Sequence, residues 1–422
     1  MHSTNTETLM RFLHTSDWHL GRTLCNCRRD DAFRAFLRWL GELIAEKRAD
    51  TLIVAGDVFD TTTPPHYAQT LYYDFLTDLV KGGICRSVVI VGGNHDSPSF
   101  LNAAGDLLQC MNITVIGEAL PSPEDEIVTL RDAGGRVTGL VCAVPFLRER
   151  DITRGVDADT LSAREARITE GTAEHYRRVI EKAAALRAGL PDPEVPIIAT
   201  GHLFVIRAEA SESTRDLYVG GLGQVPSAIF GDTPDYVALG HLHVPQMIGG
   251  NPTRCYSGAP MPFDFSEAES DRFVNLVETA GRQCTVTKIP VPRFDTLKRI
   301  SGSAAELADA IRTLAAAGEP VLVEACHTAD EPTAGLSREL SDLAAGTGVS
   351  LLKITEAARP AAMLSGEDML LKLSEVTPEG MFDKLLAIRD IPEEERPALK
   401  NAYAEILYDL VNRDENAEGD AR

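Results

Sequence analysis

The chain has 422 residues, a formal net charge of −22, and 44% hydrophobic and 25% charged residues. That balance supports one or more well-packed cores and excludes a nucleic-acid binder that works by bulk positive charge. No apolar stretch reaches the length of a membrane span, and eight cysteines without a CxxC pair argue against a zinc or disulfide framework and for a reducing cytoplasm.

The elements follow in chain order. A first apolar run, RFLHTSD, ends at Asp17. Residues Asp30–Lys47 place Phe33, Phe36, Leu37, Leu40, Leu43 and Ile44 at helical spacing, so one face of a helix is buried. TLIVAGD is the second strand, Tyr67–Val80 the second helix, and SVVIVGGNHD the third strand. Residues Ala163–Ala188 are alanine-rich and charged and predict a helix with a break at Gly171. VPIIATGHL and DYVALGHLH are two more strands, and RFVNLVE with CTVTKIPV reads as a closing pair around the turn TAGRQ. Strands alternating with helices predict an α/β fold. Beyond Pro292, LKRISGS, PVLVEACH and VSLLKITEA alternate with helical patterns at Leu307–Ala316 and Ser337–Ala345, which predicts a small second α/β unit. In the tail, Thr377 and Pro378 open a helical pattern, and Leu399, Tyr403, Ile406, Leu407 and Leu410 mark one face of another.

The strand ends carry the chemistry. Five apolar runs finish in Asp17 and His19, in Asp57, in Asn94, His95 and Asp96, in His202, and in His241 and His243. Ligands in α/β folds bind at the carboxyl ends of strands, so these groups can converge. In DWH and HLH the paired groups are two residues apart, which in an extended segment directs both to one side. Gly56, Gly93, Gly201 and Gly240 each precede a candidate and permit close backbone approach. Carboxylate, amide and imidazole without thiolate suit Mn²⁺, Fe²⁺ or Zn²⁺. Seven donors exceed one ion but suit two, sharing a carboxylate and standing roughly 3.5–4 Å apart to clamp a phosphoryl displacement. Such a centre attracts a phosphodiester locally despite the acidic chain. Each element alone reads as a turn residue or a structural histidine; the five together in this order do not. His14, His66, His175 and His327 are read as structural.

The series DWH, GDVFD, GGNHD, GHL and GHLH resembles the calcineurin-like metallophosphoesterases. HTSDWHLGR, AGDVFD, GNHDSP, VPFLRERD, DYVALGHLHVPQ and YSGAPMPFDFSE extend the resemblance to the SbcD-type nucleases of double-strand-break repair, over most of the chain. The resemblance implies a four-layer sandwich, two β-sheets flanked by helices, over residues 1–294. It implies a capping domain that positions DNA over 295–365 and a C-terminal helical segment over 366–422. One metal then takes Asp17, His19, Asp57 and His243, and the other Asp57, Asn94, His202 and His241, with Mn²⁺ expected at both. His95 faces the scissile phosphate as catalyst, and Asp60 and Asp96 orient ligands by hydrogen bonds.

The implied activity is a DNA exonuclease and endonuclease of repair, replication and recombination. Its implied partner is an SbcC-type ATPase, whose coiled-coil base the tail binds, in a heterotetramer built on a homodimer. Arg22, Arg28, Arg29, Arg148, Arg150 and Arg207 lie in or just after motif loops and are candidates for DNA phosphates. The alternative is a metallophosphoesterase acting on nucleotides or phosphoproteins. Phosphatases of the superfamily typically have Arg before the GNH and Glu after it, where this chain has Gly92 and Asp96.

Overall fold

A computed structural model describes residues 9–152, 161–205, 224–328 and 335–356, together with Phe382, Leu386, Arg396, Leu399, Lys400 and Tyr403. The tail expected to bind a partner, residues 366–422, and Arg207 lie outside the described residues apart from those six positions.

The first sheet is built from β1 (Leu9–Thr15), β2 (Thr51–Ala55), β3 (Ser87–Val91) and β4 (Ile113–Ile116), all parallel, with β13 (Phe273–Ala280) and β14 (Gln283–Pro290) added antiparallel beside β1. The β13–β14 turn is shorter than the TAGRQ segment: Ala280 pairs with Gln283, and Gly281 supplies the left-handed residue at φ 59°. The second sheet runs in the order β11-β12-β10-β7-β6-β5. Its strands are β5 (Ile127–Arg131), β6 (Val137–Cys142), β7 (Ile197–His202), β10 (Tyr236–Gly240), β11 (Gln246–Ile248) and β12 (Asn251–Tyr256). Two-residue strands β8 (Phe204–Val205) and β9 (Gln224–Val225) pair separately.

Side-chain alternation makes the layers. In β2 and β3, Leu52, Val54, Val88 and Ile90 pack with helices α1 (Asp30–Lys47) and α2 (His66–Lys81). The intervening Ile53, Val89 and Val91 meet Ile198, Tyr236 and Ala238 of the second sheet. On that sheet's other face, Leu140, Ile197, Val237 and Leu239 pack against Tyr176, Val179 and Ile180 of the long helix Leu161–Ala188. The order is helix, sheet, sheet, helix. Each fully buried Val, Leu or Ile contributes about 1.5–3 kcal/mol, and strands apolar on both faces are what a doubly covered sheet requires.

The long helix runs through Gly171 without the expected break. A Cβ there would lie 2.6 Å from the carbonyl oxygen of Ile152, so this glycine admits a neighbouring backbone rather than ending the helix.

The small unit is a parallel sheet of β15 (Leu297–Gly302), β16 (Val321–His327) and β17 (Val349–Glu356), covered by helices Ala304–Ala317 and Leu336–Ala344. A capping box between Ser303 and Glu306 sets the start of the first helix, and Gly318 at φ 73° ends it. The unit docks through Leu297, which packs with Leu24, Phe265 and Ala268. Among the described residues no helix is long and apolar enough to cross a membrane.

Candidate metal centre

The candidate ligands stand where the two sheets meet at the carboxyl ends of β1, β2, β3, β7 and β10. The strands stop early: β1 ends at Thr15 and β2 at Ala55. Beyond them the two loops zip together by backbone bonds, Asp17 N to Gly56 O at 3.0 Å, His19 N to Asp57 O at 3.0 Å and Leu20 N to Val58 O at 2.9 Å. DWH is therefore not extended, as its spacing suggested. Asp17 and His19 have φ 53° and 45°, and Asp57 and His241 have φ 51° and 98°. Non-glycine residues in this region cost of order 1–3 kcal/mol each and gather at functional sites. Trp18, fully buried, anchors the loop by donating from Nε1 to Thr15 Oγ1 at 3.1 Å. Two glycines permit close approach here, one between the sheets and one between neighbouring loops of the first. A Cβ at Gly240 would stand 1.9 Å from the carbonyl oxygen of Ala55, and one at Gly93 would stand 2.1 Å from Oδ1 of Asp57.

Asp17, His19, Asp57, His202, His241 and His243 are all at most 2% exposed. Asp57 is central: its Oδ2 lies 3.4 Å from His19 Nε2 and 3.2 Å from His202 Nε2. Asn94 Oδ1 lies 3.0 Å from His202 Nε2 and 3.0 Å from His241 Nδ1. His202 Nδ1 faces the carbonyl oxygen of Ala55 at 2.9 Å and must donate to it, which turns Nε2 toward the Asp57 and Asn94 oxygens at the centre. Metal-competent donors also gather as Asp17, His19 and His243, as Asp17, Asp57 and His202, and as His19, Asp57 and His95, each set within 4.8 Å.

The electrostatics fit cations. Burial holds the imidazoles of His19, His241 and His243 below their usual range, His241 at about 3, so they stay neutral, the form that ligates metals. Burial pushes His202 down as well, but Asp57 and Asp17 outweigh it and raise it to about 9. Burial, reinforced by the charge of Asp57, raises Asp17 to about 7 against the pull of His202. Burial would raise Asp57 too, yet His202, His95 and His19 hold it well below the usual carboxylate range. Both ring nitrogens of His19 are buried without a hydrogen bond of good geometry, although Asp57 and Asp60 oxygens stand 3.4 and 3.3 Å away. Lone pairs and carboxylates converging in a closed pocket are costly unless a cation satisfies them. This donor set fits divalent metal.

His95 sits at the open side, half-buried. Its Nδ1 lies 2.8 Å from the carbonyl oxygen of Asp60, and its backbone N–H donates to Asp57 Oδ1 at 3.0 Å. The Asp60 carboxylate stands by His19 and accepts from Arg22 at 3.1 Å. Asp96, expected to orient ligands by hydrogen bonds, accepts from three backbone N–H groups: Val58 at 3.1 Å, Phe59 at 2.9 Å and Gly93 at 2.9 Å. It clamps the Asp57 loop to the Asn94 loop. Burial and the charge of Asp57 raise its carboxyl to about 6, against those three bonds.

The arginines divide. Arg148 donates to the carbonyl oxygen of Asp96, the residue after His95, at 3.0 Å, and Arg22, over the Phe263 ring at 4.9 Å, pairs with Asp60, whose carbonyl oxygen faces His95. Arg28 and Arg150 are exposed; Arg28 pairs with Asp30 and stacks on Tyr67 at 4.1 Å, and Arg150 lies 3.9 Å from Glu118. Arg29 departs from expectation. Its side chain is 2% exposed, held by Asp295 at 2.6 and 2.8 Å and by the carbonyl oxygen of Pro262 at 2.6 Å. It pins the small unit to the main body and has no free face for DNA.

Sequence reasoning missed the support behind the centre. Ser16 donates to Asp17 Oδ2 and meets Ser257 Oγ at 2.8 Å, both hydroxyls being fully buried. Arg272 donates to the carbonyl oxygen of His243 at 2.7 Å and to Glu267 at 2.9 Å. The signal for Ser257 and Glu267 was YSGAPMPFDFSE, which carries the resemblance but has no ligand of its own.

Fold and site together define a calcineurin-like phosphoesterase, and the family model of that description matches residues 10–245. A second, described as the type 5 capsule protein repressor C-terminal domain, matches residues 293–390. The relatives are narrower in kind. The SbcD subunit of the SbcCD nuclease of Escherichia coli K12 is 33% identical over 409 residues, covering 96% of this chain and all of that protein. Its namesakes from Rhodobacter capsulatus and Bacillus subtilis are 33% and 34% identical, over 88% and 65% of this chain and 93% and 68% of their own lengths. The chain belongs to this SbcD family of nucleases and is a metal-dependent phosphodiester hydrolase.

Proposed function

We propose that this chain cleaves DNA as an exonuclease on duplex ends and an endonuclease on single-stranded and hairpin DNA, using two Mn²⁺ ions. Its partner in this reading is an SbcC-type ATPase, in a heterotetramer built on a homodimer. The observation that supports it best is Asp57 Oδ2 lying between His19 Nε2 and His202 Nε2, at 3.4 and 3.2 Å. One oxygen flanked by imidazoles from two different sheets is suited to bridge two ions. Asp17, His19 and His243 complete one set with Asp57; Asn94, His202 and His241 complete the other.

When bound, the ions supply Lewis-acid polarisation of the scissile phosphate and activation of the attacking water. The chain supplies the rest. The Asp60 carbonyl holds the His95 ring by its Nδ1–H, which directs Nε2 to the phosphate or the leaving oxygen. There it stabilises developing charge or delivers a proton. Asp96 keeps the Asp57 and Asn94 loops in register, and Asp60 bears on His19. Arg22 and Arg148 are placed to meet phosphates next to the cleaved bond, with Arg28 and Arg150 further out.

The small unit, over 295–365 in this reading, caps the nuclease domain of 1–294 and positions DNA, and the segment 366–422 binds the coiled-coil base of the ATPase. A nuclease assay on duplex and hairpin substrates, with Mn²⁺ or Mg²⁺ and with or without the ATPase, tests the reading. Metal-dependent cleavage of both substrates, stimulated by ATP with the partner, is expected. Hydrolysis of nucleotides or phosphoproteins with inert DNA would replace it.

A further inference from the structure

Arg272 and Glu267 form an ion pair that is 5% and 4% exposed. Burying such a pair stabilises little by itself, because desolvation offsets the attraction. Its other bonds show what it holds. Arg272 Nη1 donates to the carbonyl oxygen of His243 at 2.7 Å while Nη2 donates to Glu267 Oε2 at 2.9 Å. The same Glu267 oxygen accepts from the backbone N–H of Phe263 at 2.9 Å. The Phe263 ring then stands edge-on to His19 and His243, with centroids 4.9 and 5.1 Å away. One guanidinium and one carboxylate thus fix the backbone of His243 and the ring that packs both His19 and His243.

The other half of the centre is held differently. The His241 backbone N–H donates to Asp17 Oδ1 at 2.8 Å, and His202 is fixed through Ala55. No described bond of the Arg272–Glu267 pair reaches Asn94, His202 or His241.

We propose that Arg272 and Glu267 are positioning residues for one metal alone, the ion of Asp17, His19, Asp57 and His243. They preset that half of the centre, while the bonds described for Asn94, His202 and His241 do not run through them. The inference rests on the two-metal reading above.

The test titrates metal-stripped protein with Mn²⁺, following each binding step by calorimetry and the electron paramagnetic resonance of the bound ions. The variants are Arg272→Lys, whose single ammonium cannot form both forks, and Glu267→Gln, which keeps shape and acceptor but loses the charge. Wild type is expected to take two ions with a spin-coupled signal. In the variants one step weakens roughly 10–100-fold, as loss of support behind a ligand does, and the other step stays unchanged. At one ion per chain the variants then give the signal of isolated Mn²⁺. If Arg272→Lys does not fold, Glu267→Gln decides. Two unchanged steps, or two steps weakened alike, overturn the inference while wild type still binds two ions. A wild type that takes only one ion overturns the two-metal reading itself.

Discussion

The Nδ1 of His95 lies 2.8 Å from the main-chain oxygen of Asp60. A carbonyl only accepts, so Nδ1 carries the proton and Nε2 is the atom left for the phosphate under the proposed role. His95 is tied into the site by its neighbour's backbone, and its own backbone N–H rests on Asp57. His95→Ala should therefore keep both metals and lose nuclease activity by about 10²–10⁴-fold, the range of a general acid. Asp57→Asn should lose metal as well as activity. Elemental analysis and plasmid cleavage on both variants check this; metal depletion in His95→Ala equal to that in Asp57→Asn would make His95 a ligand, with His19 and Asp57, and reverse the assignment.

Gly93→Ala is expected to damage the centre without touching a donor. Its Cβ would fall 2.1 Å from Asp57 Oδ1 and 2.3 Å from Asp57 N. Neither atom can yield, since the Asp57 loop is bonded on both sides. Overpacking of this kind costs about 1–3 kcal/mol, and here it falls on the Asp57 carboxylate. The variant should fold with a lowered melting temperature and bind Mn²⁺ weakly. Wild-type metal affinity would show that the loop is looser than its bonds imply.

Much of this was legible in the sequence. α1 spans Asp30–Lys47 as its periodicity predicts, because six large apolar residues at helical spacing leave little choice. The convergence of strand ends was legible because Asp and His after long apolar runs have no apolar partner there. The left-handed backbone at Asp17, His19, Asp57 and His241 was not, because pairing between loops imposes it rather than local preference. Short strands such as β4, and β5 and β6 with their mixed composition, carry too weak an alternation to stand out. The roles of Arg29 and Arg272 depend on partners 266 residues and 29 residues away, which no local pattern reports.

His14 lies fully buried between the sheets, 2.9 Å from Tyr236 Oη and 3.2 Å from the Leu239 carbonyl oxygen. Burial lowers its pKa from 6.5 to about 3, against the Leu239 bond. The folded state excludes a proton that the unfolded state accepts, so stability falls as pH drops below 6.5 and the loss levels off near 3. The contribution approaches about 1.4 kcal/mol per pH unit in that window. His14→Gln should flatten the decline in melting temperature between pH 6.5 and 4. An unchanged slope would mean that His14 accepts its proton in the folded protein.

Arg29 and Arg28 are adjacent in sequence and should behave oppositely. Arg29→Met breaks the pair with Asp295, at a cost toward the lower end of about 3–5 kcal/mol, since Asp295 keeps some solvent contact. DNA affinity of the folded variant should keep its salt dependence. Arg28→Ala should leave stability nearly unchanged and reduce the logarithmic salt slope by about 0.9, one phosphate contact. Filter binding across a salt series, with thermal melts, separates the two; a reduced slope in Arg29→Met would return that residue to the DNA surface.

The most direct test of the central claim is anomalous diffraction at the manganese edge from crystals grown with Mn²⁺. Two peaks roughly 3.5–4 Å apart are expected, with the Asp57 carboxylate between them, one beside His19 and His243 and the other beside Asn94, His202 and His241. A single peak, or a pair that Asp57 does not bridge, would contradict it.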